Sequence, residues 1–242
     1  MSGIGWPRAH YRRTGSTNER ARELALSGAP DGTLVTAEQQ SAGRGRQGRA
    51  WSAPPGRALL MSLIVRDLEE RHALLPLAAA VAVCEACEAV APVLCGIKWP
   101  NDVWVDRRKI AGILIEGRPQ EGWAIVGIGV NVATARHEFP PALRDSATSL
   151  AIAEDETRTL SPEVLLPPLL TALDRQLADR PEAILEAWRA RDALLGERVS
   201  WRDGEGEAAG IDESGALIVE TGDRRVALDA GEVHLSPAAP AS

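Results

Sequence analysis

The chain has a single Tyr and a single Phe among its 242 residues, and aromatics make up only 4% of it. It also has no surplus of positive charge: 27 Lys and Arg stand against 34 Asp and Glu, a formal net charge of −7. A general nucleic-acid binder needs spare cations to displace counterions, and a single-strand binder needs aromatics on which bases stack. Both are missing, which argues against that class. No run of 18 consecutive apolar residues occurs, so no membrane span is expected. Residues 1–14 lack the apolar core of a secretory leader. Cysteine is scarce, with only Cys84, Cys87 and Cys95. An odd count without a leader suits a reducing cytoplasm and no disulfide framework. Cys84-x-x-Cys87 has no second pair and no clustered His beside it, and it falls in an Ala-rich apolar stretch. These thiols read as small core residues, and no protein-held metal is expected. There is no internal repeat and no low-complexity block.

What is present suits a soluble globular chain, 45% hydrophobic and 25% charged, long enough for one large and one small domain. Ser16-Thr17-Asn18 followed by Glu19, with Gly28 beyond, marks a helix over 19–27. Residues 33–37 and 58–65 read as strands, the second buried and preceded by the Pro54-Pro55-Gly56 turn. A long apolar helix spans about 72–90. Strands follow at 96–99, 102–105, 109–116 and 123–132, with Asp106-Arg107-Arg108 as a hairpin turn. Sequential short strands favour antiparallel pairing. Residues 133–160 are loop-like, and 162–178 and 181–194 read as amphipathic helices. After Gly196 the texture changes to short strands at 198–201, 207–211, 216–221 and 224–228, separated by Gly-containing turns. Such spacing indicates a small β-barrel, with 236–242 as a frayed tail. The expected fold is therefore α+β: a mixed, largely antiparallel sheet flanked by helices over 1–195, and a small barrel over 196–242.

The segment Gly43-Arg44-Gly45-Arg46-Gln47-Gly48-Arg49-Ala50-Trp51 carries the most functional information. Glycines let the backbone approach a ligand closely, and guanidiniums offer planar forks of donors to carboxylate or phosphate. Such a loop can wrap an anion and is expected to be mobile without one. By itself it reads equally as an exposed Arg/Gly loop. Lys98-Trp99-Pro100-Asn101-Asp102 sets a cation, an aromatic and two polar groups at a strand edge, where they either serve a ligand or close a turn. In Lys109-Ile110-Ala111-Gly112-Ile113-Leu114-Ile115-Glu116, strict alternation places Lys109 on the face of Ala111 and Ile113, projecting beside a cavity at the strand end. The plainer alternative is a Lys at a hairpin end. Gly127-Ile128-Gly129-Val130-Asn131 leaves two glycines and Asn131 on one face, with room for a flat or bulky ligand, although bulges give the same pattern.

Taken together, Ser16-Thr17-Asn18, the Gly43–Trp51 loop, Lys98–Asp102, Lys109–Glu116 and Gly127–Asn131 stand in the order and spacing of bacterial biotin protein ligases, which the chain resembles over about residues 10–135. The resemblance implies a class II aminoacyl-tRNA synthetase/biotin ligase-like catalytic domain followed by an SH3-like C-terminal domain. It implies that biotin is joined to AMP from ATP, with Mg²⁺ accompanying the nucleotide. The biotinyl group then passes to a lysine of a biotin carboxyl carrier protein or domain of an acyl-CoA carboxylase. By the same resemblance Ser16, Thr17, Asn18, Gln40, Gly43, Arg44, Arg46, Trp51, Lys109, Gly112 and Gly127 would serve biotin. Arg44, Arg46, Arg49, Trp51, Lys98, Asn101, Asp102, Lys109 and Asn131 would serve ATP and the adenylate. Lys109 and Arg46 would carry the chemistry. Residues 133–150, with Phe139 as a candidate, should hold a loop that covers adenine. Gln47 stands where an additional Arg is frequent in the family. Some members add an N-terminal DNA-binding domain and repress transcription. The motifs here begin by Ser16, so no DNA partner is expected, and a monomer or weak homodimer in the cytoplasm is. Two rivals differ: lipoate ligases and octanoyl transferases share the fold, but no Arg-Arg-x-x-Gly-Gly-Gly pattern occurs here. A non-catalytic biotin or nucleotide sensor would not need the full Arg loop together with Lys109.

Overall fold

A computed structural model of the chain describes residues 3–154, 160–222, 224–229, 231 and 233–235. In chain order it contains β1 (Arg8–Tyr11), α1 (Thr17–Leu26), β2 (Leu34–Ala37), β3 (Ala58–Arg66), α2 (Leu75–Val90), β4 (Gly96–Lys98), β5 (Asp102–Val105), β6 (Arg108–Arg118) and β7 (Trp123–Asn131). These are followed by α3 (Leu150–Ala153), α4 (Pro162–Ala178), α5 (Pro181–Arg189), β8 (Arg198–Trp201), β9 (Gly204–Ile211), β10 (Leu217–Thr221), β11 (Arg224–Leu228) and β12 (His234–Leu235). The first seven strands form one sheet in the order β1-β2-β3-β7-β6-β5-β4, parallel only between β1 and β2. The last five form an antiparallel sheet in the order β11-β10-β9-β8-β12. The expected mixed, largely antiparallel α+β architecture is observed.

Period-two alternation divides the large sheet into two unlike faces. Leu59, Met61, Leu63 and Val65 of β3, and Ala124, Val126, Ile128 and Val130 of β7, are buried in one cluster with α2 and α4. On the opposite face Ile64, Trp123 and Ile125 meet Ala21 and Ala25 of α1 in a second cluster. α1 covers only that end. Beyond it the same face continues as Ser62 and Leu60 on β3, Gly127, Gly129 and Asn131 on β7, and Leu114 and Gly112 on β6, in register across the sheet. This uncovered stretch is the floor of the cavity described below.

α2 is apolar on nearly every side because it is buried on nearly every side. Its small Ala and Cys side chains let the sheet, α4 and α5 approach it. Cys84, Cys87 and Cys95 are buried free thiols there, as expected of core residues. No run of 18 consecutive apolar residues occurs, yet one segment is apolar on average. Residues 70–90 reach the length and hydropathy for a bilayer span, because a few charged residues do not offset so many alanines, valines and leucines. In the fold that segment is the central core helix.

Other boundaries also moved. β1 escapes the sequence pattern because it is a four-residue edge strand with half-exposed residues. The helix expected over 181–194 ends at Arg189, where the chain turns to pair Asp192 with Ile97. The loop 133–160 contains the short α3, capped by Ser149. The tail 236–242 lies outside the described residues. The small sheet is docked onto the large unit: Trp99 Nε1 donates to Gly215 O at 3.0 Å, Arg107 pairs with Glu197 at 2.6 Å, and buried Val199, Leu217 and Val219 continue the main cluster.

Candidate active site

A cavity of about 430 Å³ opens over the glycine-lined stretch of the sheet. This volume suits a small organic ligand. One end of the cavity is polar and neutral. Gln40 Oε1 accepts from Thr17 N at 2.7 Å and from Thr17 Oγ1 at 3.0 Å. Ser62 Oγ lies 2.8 Å from Thr17 Oγ1 and 2.6 Å from Asn18 Oδ1, and its one proton serves either acceptor. Asn18 Nδ2 donates to Glu116 Oε2 at 2.7 Å. Ser16, Thr17, Asn18 and Ser62 are all buried, so the network is pre-set rather than solvated. Gly127 is required here, since a Cβ in its place would overlap the Asn18 amide.

The middle of the cavity is apolar. A Cβ on Gly129 would come 2.6 Å from Trp51 Cε2, and one on Gly112 would come 3.1 Å from Trp51 Cζ3. The room these glycines make is therefore taken by the Trp51 ring. Leu60, Ile113 and Leu114 complete this wall.

The other end is cationic. Lys109 Nζ donates to Asp102 Oδ1 at 2.6 Å and sits 5.8 Å from the Trp51 ring centroid. Arg46 Nη1 lies 3.5 Å from Asn101 Oδ1, while Asn101 Nδ2 donates to Ile113 O at 2.8 Å. Asn101 thus ties the Pro100 turn to β6 and supports Arg46. Lys98 Nζ lies 5.4 Å from the Trp104 ring centroid. Burial lowers the pKa of Lys98, with Asp102 opposing the shift and Lys109 and Arg49 adding to it. Burial likewise lowers the pKa of Arg46. A set of cations held away from water is suited to an anionic ligand whose charge would restore what burial removed.

The arginine loop is a small hairpin. Gly45 N donates to Arg49 O at 2.7 Å and Trp51 N to Gly43 O at 3.0 Å, with positive φ at Gln47 and Gly48 closing the turn. Gly43 serves this closure, since a Cβ there would overlap the Trp51 carbonyl. Arg44 reaches Glu116 at 3.4 Å, and Arg49 lines the cavity. On the opposite rim, Lys109 N donates to Ser146 O and Thr148 N to Lys109 O, each at 2.8 Å. Asn131 Nδ2 donates to Thr148 O at 3.1 Å. These bonds draw Phe139, Leu143 and Ala147 over the cavity, so the segment 133–150 does reach the site.

One placement differs from the alternation read from sequence. Pairing of β5 with β6 shifts between Val103 and Trp104, so that Asp102 faces Gly112 but Trp104 faces Lys109. The extra residue puts Ile110 and Ala111 both in the core. Lys109 consequently shares the face of Gly112, not that of Ala111 and Ile113. A bulge inserts one residue and reverses the alternation beyond it.

Ser62, Glu116, Trp104 and His234 were not singled out in the sequence. Ser62 had a usable signal, as a lone hydroxyl within an otherwise apolar buried strand. His234 had none, because it belongs to β12 of the small sheet and reaches the cavity only through domain docking.

The donor set does not fit a protein-held metal. Among the described residues Asp102 is the one carboxylate lining the cavity, it pairs with Lys109, and no three carboxylate, imidazole or thiol groups gather.

Comparison with known proteins agrees with this geometry. Residues 11–132 match the biotin/lipoate A/B protein ligase family, and 194–236 match the biotin protein ligase C-terminal domain. The chain is 36% identical to a biotin–[acetyl-CoA-carboxylase] ligase of Mycobacterium tuberculosis, covering 97% of this chain and 91% of that one. It is 37% identical to a bifunctional ligase/repressor of Bacillus spizizenii, covering 85% of this chain and 67% of the relative. Among solved structures it is similar to the biotin protein ligase of Aquifex aeolicus in complex with biotin and ATP, with a TM-score of 0.81 and 28% identity over 95% of this chain and 98% of that one.

Proposed function

The chain belongs to the biotin/lipoate A/B protein ligase family, and on that premise we propose how its cavity performs the attachment of biotin to protein. The enzyme is a biotin protein ligase: it activates biotin with ATP to biotinyl-5′-AMP and pyrophosphate, then transfers biotin to a lysine of a biotin carrier protein. The finer assignments are our reading. The observation that carries them is the order of surfaces in one cavity, neutral polar network, apolar floor and cation cluster. Biotin has the same order, with a ureido edge, an apolar bicycle and a carboxylate tail.

In this reading Ser16, Thr17, Asn18 and Gln40 meet the ureido group, with Ser62 fixing two of them. The bicycle lies against Gly112, Gly127 and Trp51. The carboxylate and the α-phosphate of ATP are both negative, and their approach is the electrostatic problem of the first step. Lys109, Arg46 and Arg44 would neutralise both from fixed positions in a site of restricted water. A carboxylate oxygen then bonds to the α-phosphorus as the bond to the β-phosphate oxygen breaks, and pyrophosphate leaves. Lys98, Arg49, Asn101 and Asp102 would frame the phosphates, and Asn131 the adenylate, under the 133–150 rim. Mg²⁺ would arrive with ATP, and no step is routed through a protein-held ion.

We further propose that 1–195 is the catalytic unit and 196–242 the C-terminal unit. The acceptors would be carrier domains of acetyl-CoA or related acyl-CoA carboxylases in the cytoplasm. A monomer or weak homodimer suffices for this chemistry. Operator DNA is not part of the proposal. A salt-sensitive, sequence-selective gel shift would overturn that point.

ATP–pyrophosphate exchange tests the function directly. Exchange that requires biotin and collapses in Lys109→Ala is expected. Exchange supported by lipoate or octanoate instead would move the chain to the neighbouring ligases.

A further inference from the structure

Of the 27 lysines and arginines in this chain only two are lysines, Lys98 and Lys109, and both line the same cavity. The other cations are all arginines. We propose that this distribution makes the enzyme inert toward its own acyl-adenylate: no lysine stands outside the cavity to be biotinylated, so the biotinyl group goes only to a lysine supplied by the acceptor. This inference rests on the ligase reading above.

The chemistry of the intermediate sets the condition. A biotinyl-adenylate is a mixed anhydride, and it acylates any amine that reaches it. A neutral amine bonds to its carbonyl carbon and the bond from that carbon to the phosphate oxygen breaks. AMP leaves with the electron pair, and the nitrogen loses a proton to give the amide. No further reactant is needed, so an exposed lysine near the mouth of the cavity would meet every requirement. Arginine does not, because its guanidinium stays protonated and its nitrogen electrons are delocalised. It still binds carboxylate and phosphate, through a planar fork of donors. Positive charge is thus kept on the surface with no nucleophile attached to it.

The arginines around the reacting end show what a lysine there would do. Arg44 and Arg49 of the hairpin are exposed. Arg57 leans on Glu138 of the rim at 3.6 Å, with half of its side chain exposed. An amine at any of these positions would stand beside the intermediate. Arginine is also used far from any such need, in the solvated pairs Arg118–Glu121 and Arg198–Glu205, where lysine would serve equally. The two lysines that remain are held as cations. Lys109 donates to Asp102 at 2.6 Å, which leaves its nitrogen no free lone pair. Lys98 is half-buried 5.4 Å from the Trp104 ring centroid, an arrangement that favours an ammonium. Burial lowers its pKa and Asp102 opposes the shift, as the phosphate of a bound adenylate would.

The test incubates the full chain with biotin, ATP and Mg²⁺ in the absence of a carrier, and maps biotinyl-lysine by mass spectrometry of its peptides. Wild type is compared with Arg57→Lys at the rim and with Arg180→Lys, an exposed position that caps α5. Wild type is expected to acquire no biotinyl-lysine. Both variants are expected to be labelled at the substituted position, residue 57 about tenfold faster than residue 180 because it is held near the cavity. Each variant should biotinylate an added carrier domain at the wild-type rate, which also shows that it folds. Biotin on Lys98 or Lys109 of wild type, or an unlabelled residue 57 in a variant that still serves the carrier, would overturn the proposal. Failure of wild type itself to biotinylate the carrier would instead sink the ligase reading, and is thereby distinguished.

Discussion

The carboxylate of Asp102 stands 2.6 Å from the ammonium of Lys109, on the neighbouring strand and at the cationic end of the cavity. The β-bulge brings the two to one face. Two partly buried charges held this way keep Lys109 in place before any ligand arrives. Replacing Lys109 by Ala should remove a donor aimed at both reacting anions and lower exchange by about 10²- to 10³-fold. Asp102→Asn should leave the ammonium in the cavity but loosen its position, with a smaller loss. Equal losses in the two variants would show that Asp102 has a role beyond Lys109.

Gly127 and Gly129 give a steric prediction. A methyl at 127 would collide with the Asn18 amide, and one at 129 with the Trp51 ring. Overpacking of this kind costs about 1–3 kcal/mol. Gly127→Ala should raise the KM for biotin at least tenfold by displacing Asn18, while the KM for ATP moves little. A matching rise in both constants would mean that the disturbance spreads beyond the polar end.

Ser62→Ala removes one hydroxyl from the buried network that orders Thr17 and Asn18. Leaving such acceptors without their donor should cost about 1–3 kcal/mol of stability. Isothermal titration should also show weaker biotin binding. Normal affinity in the variant would mean that Gln40 and Glu116 hold these side chains alone.

The pKa of Lys98 is lowered in the fold by burial, so its charged form is disfavoured there relative to the unfolded chain. While Lys98 is protonated in both states it therefore subtracts from stability. This penalty is relieved as pH rises through the folded value and is gone above the unfolded one, about 10.4. Lys98→Met should accordingly raise the melting temperature at neutral pH, lower adenylation, and lose its stability advantage as the buffer becomes alkaline. A lower melting temperature for the variant at neutral pH would contradict the sign.

The hairpin at 43–51 is held by few bonds of its own, and Arg44 and Arg49 are exposed while Arg46 is half-buried. Limited proteolysis should cut it in the free enzyme, and biotin with ATP should protect it. Identical cleavage in both conditions would mean that the hairpin is as closed before binding as after.

Much of this was legible from residue order. The apolar runs at 58–65 and 123–132 marked buried strands, because a strand covered on both faces needs no polar alternation. The glycines at 112, 127 and 129 announced close approach, and Gly43–Trp51 carries the arginines and the Trp that line the cavity. Short strands after Gly196 announced a second sheet. What stayed hidden depends on partners distant in sequence. The edge strand β1 is defined by pairing with β2 and not by its own pattern. The bulge that turns Lys109 toward Gly112 exists only in the register of β5 against β6. Glycine spacing made room on the sheet, but only packing decided that Trp51 and Asn18 fill it. Ser62 joins the polar end of the cavity by hydrogen-bonding Thr17 and Asn18, 45 and 44 residues away. His234 enters the cavity because the Trp99–Gly215 bond and the Arg107–Glu197 pair dock the small sheet there. Local preference is written in neighbouring residues, whereas register and docking are settled by the free energy of burying whole faces together. The sequence determined which chemical groups this protein has, and the tertiary structure decided which of them meet.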